Sequence, residues 1–432
     1  MPSPSPTRRV TLLALLTALS VACAPRAEPP PTPPSRPAVQ PRATDTPPTA
    51  PTPEADRDLL VARGAHLVEA AQCNRCHDGL PSGPAPRDKH CVHCHQQIHD
   101  RTFEQGDVAT QDRWRAHIIH LRAVPSLADL GERLRPDWIA GYLRAPVDLR
   151  PRLDATMPRF AFTDADTDAI AAFLTRDASP TGPAPTDGDP ANGLRLLLLR
   201  RCTICHAYSG ADLPPINTTG PVPCRPDQCA AAFKLAPDLR HTRDRFRRDR
   251  LDAWLRDPAA MHPGTLMPRL TLTDAERHDL VAALLRSPLT REPEAAPIPT
   301  RLPVLTRAVG WDEVERRVFK TVCWHCHADP ELADGDGGPG NTGGLGFPGR
   351  GVSFATYDAT LAGRRNDDGR RQSLFDPTPD GTPRLVAVLM ARHAEVAGQP
   401  VDGLRGMPLG LPPMSLEQIQ LVETWIAQGR PR

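Results

Sequence analysis

Eight of the eleven cysteines fall into four copies of one pattern, two thiols separated by two residues with a histidine directly after the second. The copies are Cys73-Asn74-Arg75-Cys76-His77, Cys91-Val92-His93-Cys94-His95, Cys202-Thr203-Ile204-Cys205-His206 and Cys323-Trp324-His325-Cys326-His327. At this composition chance would give such a pentapeptide about 0.01 times, so four copies are not accidental. Thiols at this spacing add to the two vinyl groups of a haem, and a helical turn delivers the adjacent histidine under the iron as proximal ligand. The pattern implies four covalent haem c groups, with iron on His77, His95, His206 and His327. Two other chemistries share part of the pattern. A structural zinc site would use the first two pairs, but it leaves the histidine after every pair unexplained and covers half the copies. Thioredoxin-like exchange calls for a preceding strand and a βαβ context, whereas the flanks here are helical.

The three remaining cysteines point to a compartment. Arg8 and Arg9 precede an apolar run from Val10 to Ala22, long enough for an export signal and too short to span a bilayer. The run ends Leu19-Ser20-Val21-Ala22-Cys23, similar to a bacterial lipobox with Ser20 in place of the usual aliphatic residue, so Cys23 is the expected lipidation site. Ordinary signal cleavage near Ala22 is the alternative, and twin-arginine export is a weaker reading of Arg8-Arg9. Cys224 and Cys229 have no following histidine, and export makes a disulfide between them the default. From Ala24 to about Asp56 proline is dense and apolar periodicity is missing, which describes an extended tether. Export, lipid and tether together imply a membrane-anchored, periplasm-facing protein.

Composition narrows the rest. Aromatic residues are 4% of the chain and there are 52 prolines, so the cores are poor unless a large apolar group fills them. Lys and Arg total 52 against 51 Asp and Glu, nearly all of the basic side being arginine, and no basic patch with interleaved aromatics marks a nucleic-acid partner.

An internal repeat lies downstream of the thiol motifs. Val124-Pro125-Ser126-Leu127, Trp138 to Pro146 and Met157-Pro158-Arg159-Phe160 form one copy; Ala236-Pro237-Asp238-Leu239, Leu251 to Pro258 and Met267-Pro268-Arg269-Leu270 form the other. Amphipathic helices are predicted after each, over Asp164–Leu174 and Asp274–Leu285, with a third over Leu416–Gln428. Further helices are predicted over Asp58–Ala71, Ala191–Arg201 and Trp311–Lys320, leading into the first, third and fourth motifs.

These segments resemble class I cytochrome c domains. The resemblance covers nearly all of the chain after its export signal and implies an all-α fold. It divides the chain into a signal peptide (1–23), a Pro-rich disordered tether (24–57), a dihaem domain (58–178), a linker (179–190), a monohaem domain (191–287), a second linker (288–305) and a monohaem domain (306–432). It also implies a sixth iron ligand from a Met-Pro loop. This assigns Met157, Met267 and Met407, with Met414 nearby as the alternative to the last; a thioether raises the potential relative to a second imidazole. The second motif lies in an insertion without methionine. Among His90, His93, His99, His117 and His120, the favoured sixth ligand is His120, with His117 or an open iron as alternatives. The arginine-rich run Arg240 to Arg256 reads as a self-compensated solvated helix, with haem carboxylates as its other possible partners. A calcium loop near Asp334 lacks its closing glutamate.

The function implied is electron transfer between redox protein partners: a dehydrogenase, another cytochrome, or a terminal oxidase or reductase. Alternatives are a peroxidase or small-molecule reductase working at an open second haem, or the cytochrome subunit of a membrane-bound dehydrogenase.

Overall fold

The computed structural model describes residues 53–85, 90–104, 107–117, 124–147, 149–152, 157–185, 187–216, 226–292, 296–324, 326–327, 351–366 and 368–432. The export signal with Cys23, most of the tether, His120, Cys224 and the glycine-rich stretch after Asp334 lie outside the described residues. The described chain is mostly helical, with one short antiparallel ribbon. Residues from Pro51 onward cluster as one unit. No described helix is long and apolar enough to cross a membrane.

The first copy of the repeat opens with α1 (Pro53–Ala70), continues through α2 (Cys91–Asp100), α3 (Val108–His117), α4 (Leu130–Arg133) and α5 (Pro136–Arg144), and closes with α6 (Asp164–Leu174). Helix α1 begins five residues before the expected boundary at Asp58, inside what the proline content marks as tether. Pro53 sits in the first turn, where its missing N–H has no helical partner, and Glu54 and Asp56 complement the helix dipole there. The second copy runs from α7 (Pro190–Leu199) through α8 (Pro226–Leu235), α9 (Thr242–Arg245), α10 (Arg248–Arg256) and α11 (Pro258–Met261) to α12 (Asp274–Arg286). In the last third α13 (Trp311–Val314) widens into a π-helical stretch, Glu315–Cys323, followed by α14 (Tyr357–Leu361), α15 (Arg384–Val396) and α16 (Leu416–Ala427). Strands β1 (Arg364–Arg365) and β2 (Arg371–Gln372) pair between α14 and α15.

Each third is closed by a late helix packed on an early one: α6 on α1, α12 on α7, and α16 on α13 with its π-helical extension. All three closing helices start with a reciprocal capping box, Thr163 with Asp166, Thr273 with Glu276, and Ser415 with Gln418. The first two crossings are close because a glycine sits at each. A Cβ on Gly64 would collide with the Ala169 carbonyl, and one on Gly193 with the Asp279 carbonyl. The third core uses aromatic bulk instead, with Trp425 and Phe319 buried among Trp311, Phe354 and several aliphatic residues. Scarce aromatics are thus concentrated where the core is largest.

The first two copies meet through a symmetric seam. Leu134 and Phe246 form an isolated antiparallel bridge. Arg135 N–H donates to Arg245 O at 3.0 Å, and Arg247 N–H donates to Arg133 O at 2.8 Å. Leu134 follows α4 directly and Phe246 follows α9 directly, so equivalent segments of the two copies face each other, as in an isologous contact. Arg247 does not behave as part of a solvated helix. It is buried, donates to the carbonyls of Gly131 (3.0 Å) and Pro180 (3.1 Å), and pairs with Asp249 at 2.8 Å.

Candidate functional site

Three of the four motifs share one local geometry. In each, the histidine N–H returns to the first cysteine carbonyl: His77 to Cys73 at 2.9 Å, His206 to Cys202 at 2.9 Å and His327 to Cys323 at 3.0 Å. In the first two copies the preceding helix is stopped by a residue in the left-handed region, Gln72 (φ 54°) and Arg201 (φ 61°), which swings the motif into a tight turn. The second motif differs. It opens α2 with His90 as N-cap, so Cys91, Cys94 and His95 sit on a regular helix.

The first and third motif histidines are each held through one ring nitrogen by a backbone carbonyl. His77 Nδ1 lies 2.8 Å from Pro125 O, and His206 Nδ1 lies 2.8 Å from Pro237 O. A carbonyl only accepts, so Nδ1 carries the proton in both rings and Nε2 keeps its lone pair. Burial pushes both imidazoles below their ordinary value, which keeps them neutral. This is the arrangement in which a backbone carbonyl orients a metal-bound histidine. Burial also lowers His327, whose ring meets Phe354 edge-on at 5.8 Å.

A single cavity of about 940 Å³ receives these groups. Cys73, Cys76, His77, Cys91, Cys94, His95, Cys202, Cys205, His206 and Cys326 all line it; Cys323 and His327 do not, but Thr321 and Val322 beside Cys323 do. None of the eight motif thiols is tied up in a disulfide. Burial pushes Cys73 and Cys202 up to about 11 and Cys323 to about 12. Cys76 and Cys91 hydrogen-bond to each other, which brings the first two motifs together thiol to thiol and raises Cys76 while lowering Cys91.

Met157 and Met267 line the cavity. Trp254 Nε1 donates to Met267 Sδ at 3.1 Å and so orients the thioether. In the last third it is Met414 that lines the cavity, 3% exposed. Met407 packs half-buried against the third core, its N–H on Val388 O at 2.9 Å. The alternative methionine, not the one assigned from the Met-Pro pattern, is the one at the cavity wall.

Of the histidines around the second motif, His120 lies outside the described residues, as does the side chain of His117. His99 Nδ1 is 3.0 Å from Asp100 Oδ1. His90 is buried and stacked on His93 with ring centroids 3.7 Å apart. With Asp78 these two rings form a cluster whose potential ligand atoms lie within 4.8 Å of one another. The hydrogen bonds argue against a metal there. His90 Nδ1 accepts from His93 N–H at 3.2 Å, so the proton of neutral His90 sits on Nε2, facing Asp78 Oδ1 at 3.4 Å. A cation on Nε2 would have to displace it. No local pattern marks this cluster in the sequence, because Asp78 is brought to the two histidines only by the turn after the first motif.

Cys229 is disulfide-bonded. The cavity wall is largely apolar, and among the described residues its charged side chains are seven arginines (133, 150, 159, 200, 201, 245 and 392) and Glu395, Arg200 being paired with Glu276 behind the wall and Arg392 with Glu395 at 3.0 Å. Such a wall fits a flat apolar macrocycle with two carboxylates, as a haem is, and the free thiol pairs, neutral histidines and thioethers are the groups that would attach and ligate one. A scan of family models finds none that matches this chain, and searches of curated proteins and of solved structures find no match either.

Proposed function

We propose that this chain is an exported tetrahaem c-type cytochrome, built of three tandem class I cytochrome c-like helical domains, that carries electrons between redox protein partners. The observation that supports it best is the matched pair His77–Pro125 and His206–Pro237, each a neutral imidazole beside a reduced CxxC thiol pair in an apolar cavity that also holds Met157 and Met267. Bound haem supplies one-electron iron chemistry, and the protein sets its potential by ligand, burial and hydrogen bonding. Cys73 and Cys76, Cys91 and Cys94, Cys202 and Cys205, and Cys323 and Cys326 would hold the four groups. Met157 and Met267 would close two irons, Met407 or the cavity-lining Met414 a third, and His120 the fourth. The three early–late helix pairs and their capping boxes support the three-domain reading. The disulfide at Cys229 accords with an oxidising compartment, with Cys224 as the assigned partner and Cys23 as the lipid anchor.

Intact mass and haem staining after denaturing electrophoresis should show four covalent haem additions. Three or fewer would remove the assignment from whichever motif stays empty. Cys23→Ser should release soluble protein into the periplasm; retention on membranes would make the anchor a partner protein. His120→Ala should turn one quarter of the haem high-spin, and a wild-type protein that already binds carbon monoxide at one haem would move the reading to an enzyme.

A further inference from the structure

The seam between the first two copies places one arginine from each at the cavity. Arg133 ends α4 and Arg245 ends α9, and each backbone carbonyl takes a hydrogen bond across the seam. The guanidinium groups enter the same apolar space. Arg245 Nε, and Arg133 Nε and Nη2, are sealed from solvent and have no hydrogen-bond partner among the described residues. Buried guanidinium N–H groups without acceptors are costly, and a charge in such a place requires a counter-charge. Burial, with the charges of Arg150 and Arg133 behind it, pushes Arg245 down to about 10. Arg133 is lowered by burial and raised by Asp129. Arg245 also lies over the Trp138 ring, 6.0 Å from its centroid, so one face is occupied and its polar edge is left for a ligand.

We propose that Arg133 and Arg245 form one anion clamp at the seam, which takes carboxylates of the groups held by His77 in the first copy and His206 in the second. The inference rests on the tetrahaem reading and adds that the haem carboxylates of the two copies meet between these arginines. Three observations converge on it: the equivalent positions of the arginines, their unmet donors, and a cavity wall with seven arginines to one carboxylate among the described residues, two of the seven being paired with glutamates. Arg–carboxylate pairs are short and charge-assisted, and a planar fork holds both oxygens. Positive charge at a haem carboxylate disfavours the oxidised, more positive iron. Loss of the clamp should therefore lower the potentials of the first and third haems, and leave those of the second and fourth in place.

The test uses the full holoprotein with Arg133→Gln and Arg245→Gln, singly and together. Intact mass first establishes that four haems remain, so failure of the tetrahaem reading shows as a missing haem in wild type and is distinct from failure of the clamp. Spectroelectrochemical titration should then show the two affected haems losing at least tenfold in their reduction equilibrium, 59 mV for one electron. Their potentials should also become pH-dependent near neutrality as the freed carboxylates titrate. Unchanged potentials with four haems bound would overturn the clamp. So would wild-type potentials that move with added inorganic phosphate and cease to do so in the variants, since that describes an exchangeable free anion. Should the glutamine variants fail to load haem, Arg133→Lys and Arg245→Lys decide the matter: a point charge in place of the fork keeps the carboxylate charged but holds it less closely, so the two affected potentials should fall by less than in the glutamine variants with no new pH dependence, and unaltered potentials overturn the proposal.

Discussion

Trp254 donates to Met267 Sδ at 3.1 Å, and a thioether sulfur has two lone pairs, so one is left free of that bond. Met414 reaches the cavity wall by a different route. Arg392 Nε donates to Leu411 O at 2.7 Å, and His393 Nε2 lies 2.9 Å from Met414 O. These bonds anchor the Leu411 to Met414 loop to α15. Under the tetrahaem reading Met414→Ala should strip one iron of its thioether, and a thioether raises haem potential. We expect one haem to fall by a factor of ten or more in its reduction equilibrium, about 59 mV. Met407→Ala should leave all four potentials in place, with a stability loss of about 2 kcal/mol for a half-buried methionine. Magnetic circular dichroism of the two variants separates the residues, and loss of a thioether signature in Met407→Ala would reverse the assignment. The Met-Pro pattern leads to Met157 and Met267 at the cavity because their loops repeat. In the last third it leads to Met407, whereas the residue that reaches the cavity there depends on α15, which has no counterpart in the first two copies.

At the scale of elements, the glycines at the crossings carry the packing. Gly193 lies where the Asp279 carbonyl of α12 approaches α7, and no side chain fits between them. Gly193→Val should push the helices apart and cost about 3 kcal/mol, the upper end for overpacking, read as a lowered midpoint in urea. The same substitution at Gly83, with open space around its Cβ direction but φ +71°, tests backbone strain without a clash. A second element-level device operates by charge. Glu313 pairs with Arg307 at 2.7 and 2.8 Å and with Arg317 at 2.9 Å, which holds its carboxyl at about 2 against an ordinary 4.5. Because the folded value is depressed, this stabilisation is present in full above the ordinary value and is lost as pH falls through 2. The partner arginines are exposed, so Glu313→Gln should cost only about 1 kcal/mol at pH 6. Urea midpoints of variant and wild type should converge towards pH 2. The closing helices were legible almost to the residue, since a Thr or Ser cap three positions before Asp, Glu or Gln is a local signal. The π-helical widening after Val314, the ribbon and α14 were not, because nothing within a few residues distinguishes them from a plain helix or loop.

For the whole molecule, the seam decides whether the first two copies act as one body. Its two backbone hydrogen bonds and the Leu134–Phe246 bridge are supplemented by Asp238 N–H on Leu149 O at 2.8 Å, Arg152 on Cys205 O at 2.6 Å and Arg250 on Glu132 at 2.8 Å, and Arg247 reinforces them by reaching from the second copy to Gly131 O and to Pro180 O of the linker. No sequence pattern announced this, because the run from Arg240 to Arg256 balances its charges locally and only the fold takes Arg247 out of water. Removing that side chain leaves Gly131 O across the seam and Pro180 O in the linker without this donor. Among the described residues Asp249, 5% exposed at its side chain, would then keep Gly182 N–H at 3.0 Å and Arg250 at 3.6 Å as side-chain partners. Truncating one partner of a buried pair is costly, so Arg247→Met should lose about 3 kcal/mol. The loss should fall on coupling more than on either core. Calorimetry should resolve one unfolding transition into two, and amide exchange should quicken at Arg135 and Arg247, whose N–H groups bridge the copies, while α6 and α12 stay protected. A variant that melts in one transition with unaltered exchange at those two amides would show that the copies are held together by the cavity and its contents, not by the seam.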